Sequence, residues 1–449
     1  MRSKFRFAVH TSVVALSLGW TVAALAQAAP SAKKADAKDE DSVIVVTGSS
    51  LKGVAPVGSN LVSIGKDDIA KLGANTVQQV LKSVPAVVGL NSPGQGGFGS
   101  FDGAGTNAPT IHSLGASASN STLILLNGHR LPVGGANHVL ADPNIIPPMM
   151  LERVEVLSDG ASSVYGSDAV AGVINFITRR KVDGLEVNFQ KGFGKKYGTI
   201  NAGIVAGKKW DTGSLVFAYA FSNRDNVNAA DRSFTGANQV ARGGFNFADT
   251  FCPVAAVVAN GQTYYSPYTS GAPYVAGSTA NTTNIAGQNG RCDITKNWDI
   301  IPSEKRHNVM LSFSQEVGDN LKLTGDFVYS NRKNVQNISR GTASGTIWST
   351  AASIPASQAG ASVNPFAAGV FTAVNTAEVA AGRAAVTALT VNFSGDALLG
   401  KGAQIIGKDE TLYGRLDAEY NLQNSWHLNV GALFGRDTSS VETLGRLNT

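Results

Sequence analysis

The sequence is short of charge, of cysteine and of long apolar runs. Charged residues make up only 15% of the 449, against roughly a quarter in ordinary soluble domains. After the N-terminus no apolar stretch is long enough to span a membrane as a helix. Low charge, 50 glycines and a mean hydropathy of +0.00 fit a chain of alternating strands. In a transmembrane barrel, lipid-facing and lumen-facing residues alternate and cancel in just this way. The net charge of +5 does not imply a nucleic-acid partner. Arg2, Lys4 and Arg6 lie in the leader, and no dense Lys/Arg stripe with interleaved aromatics follows.

Catalytic patterns are missing as well. Residues 94–99 match G-x-G-x-x-G, but no strand precedes them and no helix follows, so the dinucleotide fingerprint lacks its frame. Residues 49–52 match S-x-x-K without its companion motifs. The six histidines are scattered, with no H-E-x-x-H and no paired C-x-x-C. Neither an enzyme nor a metal or other cofactor is expected.

What is there begins with an export signal. Arg2, Lys4 and Arg6 form a basic start, residues 7–25 an apolar core, and Ala24 and Ala26 a small-x-small cleavage pattern. Residues 1–26 therefore read as a signal peptide. Cys252 and Cys292 then remain in an exported chain, where an even count suggests one disulfide, with two free thiols as the alternative.

Residues 27–50 make a flexible leader of small and charged residues, unable to bury enough to order itself. It ends in the β-branched run Val43, Ile44, Val45, Val46 and Thr47. Such a strand-former either adds itself to a partner's sheet edge or starts the next domain. Residues 51–180 read as a compact α+β domain. Helices are expected over 66–72 and 76–84, the second capped by Asn75. Strands are expected over 122–126, 153–157 and 173–177, the first turning at Asn127 and Gly128.

From 181 to 449 the pattern changes to strict alternation. Seven runs stand out, near 184–194, 198–208, 213–224, 305–317, 320–334, 410–421 and 424–438. In the sixth, Leu412, Leu416, Ala418 and Tyr420 share one face, and Tyr413, Arg415, Asp417 and Glu419 the other. About ten residues per run suits a tilted strand crossing a bilayer. Short turns at 208–213, 316–320 and 421–425 alternate with long stretches at 225–304 and 331–409. Tyr420 and Trp426 flank one short turn and Trp210 sits in another, where an interfacial girdle belongs. Both cysteines fall in the first long stretch.

Three segments carry a resemblance. The block ERVEVLSDGASSVYGSDAVAGVINFITRR over 152–180, the NGHRLP segment ending at Pro132 and DSVIVVTGSS over 41–50 resemble the plug domain and energy-coupling box of TonB-dependent receptors. The resemblance implies an α+β plug domain followed by antiparallel transmembrane β-barrel strands, the N-terminal part of such a receptor. It implies energy-coupled uptake of a ligand across the bacterial outer membrane, with the N-terminus periplasmic. The implied partners are TonB with its inner-membrane energising complex, outer-membrane lipid, the barrel assembly machinery, and a siderophore, cobalamin, haem or oligosaccharide ligand. Its implied site residues are the box at 43–47 and the plug motif Asn127, Gly128, Arg130, Arg153, Glu155, Gly160, Tyr165 and Gly166. Arg153 and Glu155 are expected in polar contact between plug and wall. Apical loops at 91–107 and 134–142 would face the ligand, with Phe98, Phe101, Asp102 and His138 as candidates. One departure is His112 and Ser113, which stand where the family carries Arg and Gly. The chain ends at Thr449 without an aromatic-ended strand, so the barrel is expected to be incomplete. A decayed receptor or plug-like binding module without transport is the alternative.

Overall fold

The computed structural model describes residues 61–88, 108–112, 121–135, 140–159, 162–247, 256–265, 293–358, 361, 363, 368–400, 402–422 and 426–446. Ala24, Ala26, the box at 43–47, Phe98, Phe101, Asp102, Ser113, His138, Gly160, Cys252 and Cys292 lie outside these residues.

The first region is built on a mixed sheet. Strand β1 (Leu61–Gly65) leads into helix α1 (Lys66–Leu72), which stops where Gly73 takes a left-handed φ of 59°. Helix α2 (Val77–Leu81) opens on a capping box formed by Thr76 and Gln79. The cap is therefore Thr76 rather than Asn75: Thr76 Oγ1 accepts from Gln79 N, whereas Gln78, three residues after Asn75, is buried and its N–H is taken by Asn144 Oδ1. A short ladder, β2 (Val87–Val88) with β3 (Thr110–Ile111), follows. Then come β4 (Thr122–Leu126), β5 (His129–Arg130), β6 (Leu151–Leu157), the short helix α3 (Ser162–Tyr165) and β7 (Gly172–Thr178). The sheet order is β1-β6-β7-β4-β5, with β4 and β7 parallel and the other pairs antiparallel.

Every residue of β4 is buried. Ile124 and Leu126 join the main core with Val77, Val80, Leu81, Ile174 and Phe176. Leu123 and Leu125 join a smaller cluster with Leu157, Ala169 and Val173 on the other face. A strand covered on both faces reads as an unbroken apolar run, which is why 122–126 lacks alternation. Gly172 is held by close approach: at φ 139° a Cβ there would lie 2.4 Å from Leu157 O.

The second region starts with β8 (Gly184–Gly194), β9 (Tyr197–Trp210) and β10 (Gly213–Arg224). After the short strands β11 (Val227–Asn228), β12 (Ala256–Ala259), β13 (Gln262–Tyr265) and β14 (Asp299–Ile301) come β15 (Ser303–Val317) and β16 (Leu321–Ile338). Next are β17 (Thr342–Trp348), helix α4 (Ala368–Ala380), β18 (Ala388–Ser394), β19 (Ala403–Asn421) and β20 (His427–Leu444). The seven long strands make one antiparallel sheet, β20-β19-β16-β15-β10-β9-β8, which does not close on itself among the described residues.

All seven alternating runs are strands. β16 and β19 extend beyond them, to Ile338 and back to Ala403. The long connections are not structureless. They carry a second sheet, β13-β12-β18-β17, and Phe371 and Val374 of α4 pack with Val257, Ala259 and Leu389.

The large sheet wears its apolar side outward. In β19, Thr411, Tyr413 and Arg415 are buried, while Leu416 and Tyr420 are exposed. Leu185, Val187, Phe189, Leu215, Phe217 and Phe327 on neighbouring strands are exposed too. The inner face lies against the first region in register-aligned rows. One row, Val205, Ala218, Met310, Val328 and Tyr413, joins the apolar core of the first region. On β15, β16 and β19 the rows on either side of it are polar: Ser312, Asp326 and Arg415 on one side, Asn308, Ser330 and Thr411 on the other. A half-buried strand in water hides its apolar phase; this sheet hides mainly its polar one.

Candidate functional site: the polar interface between the first region and the wall

Toward the short-turn end, the interface centres on Asp326 of β16, whose side chain is fully buried. Its carboxylate accepts from Asn127 Nδ2 at 2.8 Å, Arg180 Nη2 at 3.1 Å, Ser312 Oγ at 2.6 Å and Arg415 Nε at 2.8 Å. Two of these donors come from the first region and two from the wall. Arg415 also pairs with Asp417, which His129 Nε2 approaches at 3.1 Å. Two guanidiniums and two carboxylates thus nearly balance, which is the condition for keeping charge away from water. Burial, reinforced by Arg415, pushes His129 below its ordinary imidazole pKa, while Asp417 pulls the other way.

Local sequence explains how these donors are placed. Asn127 at φ 51° and Gly128 at φ 84° are both left-handed, as a two-residue hairpin requires. In that turn Asn127 accepts from Thr178 N at 2.9 Å and donates to Thr178 Oγ1, while Gly128 N donates to Asn175 Oδ1 at 3.1 Å. The side chain is locked, and its second amide hydrogen is aimed at the wall. Arg179 grips Glu186 of β8 through two parallel bonds of 2.7 and 2.5 Å.

A second cluster lies on the other side of the apolar row. Arg332 of β16 is buried between Asp142 of the first region and Asp409 of β19, the latter at 2.9 Å. Asn144 O accepts from Asn308 Nδ2 at 2.7 Å and Arg306 Nη1 at 3.2 Å. Asp142 caps its own short helical turn through Asn144 N, so one capping residue also makes the cross-interface ion pair. The expectation that 134–142 faces the ligand does not hold for Asp142, which is 7% exposed and paired with Arg332 of the wall. The reason is Arg332, whose buried charge demands a counter-ion.

The other candidate residues lie within the first region. Arg153 Nε donates to Glu155 Oε1 at 2.7 Å, with Glu155 buried on β6 between β1 and β7. Arg130 pairs with Asp168 and donates to Tyr165 O at 3.3 Å. The Tyr165 ring packs on the smaller core cluster, and Gly166 takes φ 82°. His112, also left-handed at φ 64°, has Nε2 2.9 Å from Ser158 O. Asp142, Arg180, Asp326, Arg332, Asp409, Arg415 and Asp417 escaped the sequence reading as an interface. The available signal was their phase: Asp326, Arg332, Asp409, Arg415 and Asp417 occupy the inward side of their strands.

Residues 55–173 match the family model of the TonB-dependent receptor plug domain. The chain therefore carries that plug, seated on an antiparallel sheet resembling part of a barrel. Among solved structures it is similar to the siderophore receptor PirA from Acinetobacter baumannii, with TM-score 0.39 and 14% identity over 85% of this chain and 44% of that one. It is similar to BauA, the ferric preacinetobactin receptor of the same organism, with TM-score 0.39 and 11% identity over 87% and 48%. A mutant of the ferric enterobactin receptor PfeA from Pseudomonas aeruginosa, solved with enterobactin, gives 0.38 and 13% over 85% and 46%. The chain spans under half the length of each of these three.

Proposed function

We propose that this chain belongs to an energy-coupled importer of the bacterial outer membrane, its N-terminus on the periplasmic side. The observation that carries the proposal is a plug domain seated on the polar inner face of a sheet whose outer face is apolar. An apolar outside calls for lipid, and a plug inside calls for a means of moving it. The energising partner is TonB with its inner-membrane complex, gripping residues 43–47 by strand pairing. The ligand would be a siderophore, cobalamin, haem or oligosaccharide. Lipid of the outer membrane and the barrel assembly machinery are the further partners.

Mechanically, force applied at 43–47 reaches β1 first. Among the described residues that strand is an edge strand, paired only to β6 through the ladder Leu61↔Leu157 to Gly65↔Arg153. Pulling on it peels those pairs one at a time, a gentler route than shearing the central strands. The polar rows at the wall favour release too, because charges that leave the interface regain water, while exposed apolar surface gains nothing comparable.

The test is Val46→Pro, which removes a backbone donor from the box. Uptake of iron-55 siderophore, labelled cobalamin and haem is compared in cells relying on this receptor. The expected result is loss of uptake for whichever probe the wild type imports, with its binding to the cell surface intact. Undiminished uptake would contradict the coupling role, and a soluble rather than outer-membrane protein would contradict the wall.

A further inference from the structure

Three lysines stand in a row on the outward face of the sheet. Lys305 of β15 is the direct register partner of Lys333 of β16, and Lys333 that of Lys408 of β19. All three are exposed, while their chain neighbours Glu304, Arg306, Arg332 and Asp409 are buried on the inner side. Like charges directly opposite on adjacent strands repel and destabilise the pairing. No ion pair to any of the three occurs among the described residues, although Glu410 and Glu442 share that face. Glu410 instead accepts from Tyr329 Oη at 3.3 Å, and Lys305 lies 5.9 Å above the Phe221 ring.

The position of the row is as informative as its charge. The long connections leave the sheet at this end, and the short turns at 211–212 and 318–320 lie at the other. In an outer-membrane barrel the long ones are extracellular. From Leu321 beside a short turn to Lys333, a strand tilted by ~40° rises about 30 Å, the thickness of a hydrocarbon core. Next inward from the lysines come His307, Asn331 and Glu410, then Val309, Tyr329 and Leu412 with Tyr219, whose hydroxyl lies 2.8 Å from His307 Nδ1. Leu311, Phe327 and Phe217 follow. Cation, then aromatic and polar groups, then apolar side chains is the profile of a lipid, from headgroup to tails.

We propose that Lys305, Lys333 and Lys408 form a binding site for the phosphate headgroup of an anionic lipid in the outer leaflet. The anion neutralises the repulsion within the row, and its acyl chains lie along the apolar surface beneath. The apolar continuation selects a lipid over free phosphate. The inference rests on the membrane-wall reading above, and its test separates the two.

Full-length protein, purified in neutral detergent, is titrated with dioleoyl phosphatidic acid, dioleoyl phosphatidylcholine and inorganic phosphate, and bound molecules are counted by native mass spectrometry. The expected result is preferential retention of phosphatidic acid. Lys333→Gln lowers its affinity about fivefold, the contribution of one lysine at an anionic surface, and Lys333→Arg preserves it. Equal retention of both lipids, or no effect of Lys333→Gln, would overturn the site. Retention of inorganic phosphate as strong as that of phosphatidic acid would overturn the lipid assignment. Brominated phosphatidylcholine vesicles supply the control, since an inserted wall has its tryptophan fluorescence quenched. Insertion without headgroup preference refutes this inference alone; failure to insert refutes the wall as well. Lys333→Gln must be quenched like wild type, and if it is not, retention by Lys305→Gln and Lys408→Gln decides under the same criteria.

Discussion

In the plug, β4 buries all of Thr122 to Leu126, whereas in the wall β19 buries Thr411, Tyr413 and Arg415 and leaves Leu416 and Tyr420 open. Both are strands of ordinary geometry. The difference lies in what covers each face. Apolar clusters cover the plug sheet on both sides, so its central strand has no polar phase. The wall has the plug on one side and, in the proposed reading, lipid on the other, so its alternation survives with the hidden and exposed phases exchanged. One strand pattern therefore reports two opposite solvents, and only its register with neighbouring elements says which.

The largest way to break this comparison is to strip the wall's inner face of its shared acceptor. Asp326→Ala leaves the buried Arg415 with Asp417 alone and the partly buried Arg180 without its carboxylate; it should cost about 3 kcal/mol, read as lost protease resistance of the plug and a lower melting temperature. Unchanged melting would mean the polar rows do not hold the plug. On the outer face, Leu311→Arg places a charge midway down the lipid side, between Phe217 and Phe327. It should cost about 2–4 kcal/mol in a bilayer, measured by chemical unfolding from vesicles. A near-zero cost would indicate water there. Inside the plug, Thr76→Ala removes the capping oxygen of α2 and should cost about 1 kcal/mol, again by melting.

The smallest effect is on pH. His129 titrates lower in the folded protein than its ordinary value of 6.5, so the folded state binds fewer protons than the unfolded one near that pH. Plug stability should fall as pH drops through 6.5 and level off below the folded-state pKa. His129→Gln should flatten that part of the melting profile; an unchanged slope would remove the imidazole from the account.

Much of this architecture was legible in the residues. Alternation located all seven wall strands because each must serve two unlike faces over its whole crossing. It failed at the outer end of β19, where residues 403–407 read Ala-Gln-Ile-Ile-Gly and show no polar–apolar alternation, although burial alternates again from Gly407 onward. The sheet formed by β12, β13, β17 and β18 was missed because its strands are too short to show a period and β17 and β18 lie far from β12 in sequence, although the left-handed Asn260-Gly261 turn that joins β12 to β13 is a legible hairpin signal. At the interface, Asn127 was visible as a turn residue but its bond to Asp326 was not. Nothing local connects positions so far apart in the chain. The cap at Thr76 was legible in principle, since Gln79 completes the box; Asn75 is the expected cap only if the helix begins one residue earlier, at Thr76.

The most direct test of the central claim is a spin-label scan from Leu412 to Tyr420, one site at a time, in a background with Cys252 and Cys292 replaced and the protein in vesicles. The account predicts that labels at Leu412, Leu416, Ala418 and Tyr420 are reached by oxygen dissolved in the bilayer. Labels at Tyr413, Arg415 and Asp417 should be immobile and shielded from both oxygen and water-soluble nickel chelate. Nickel access at Leu412 and Leu416, or mobile labels at Tyr413 and Arg415, would contradict a wall that faces lipid with its apolar side and the plug with its polar one.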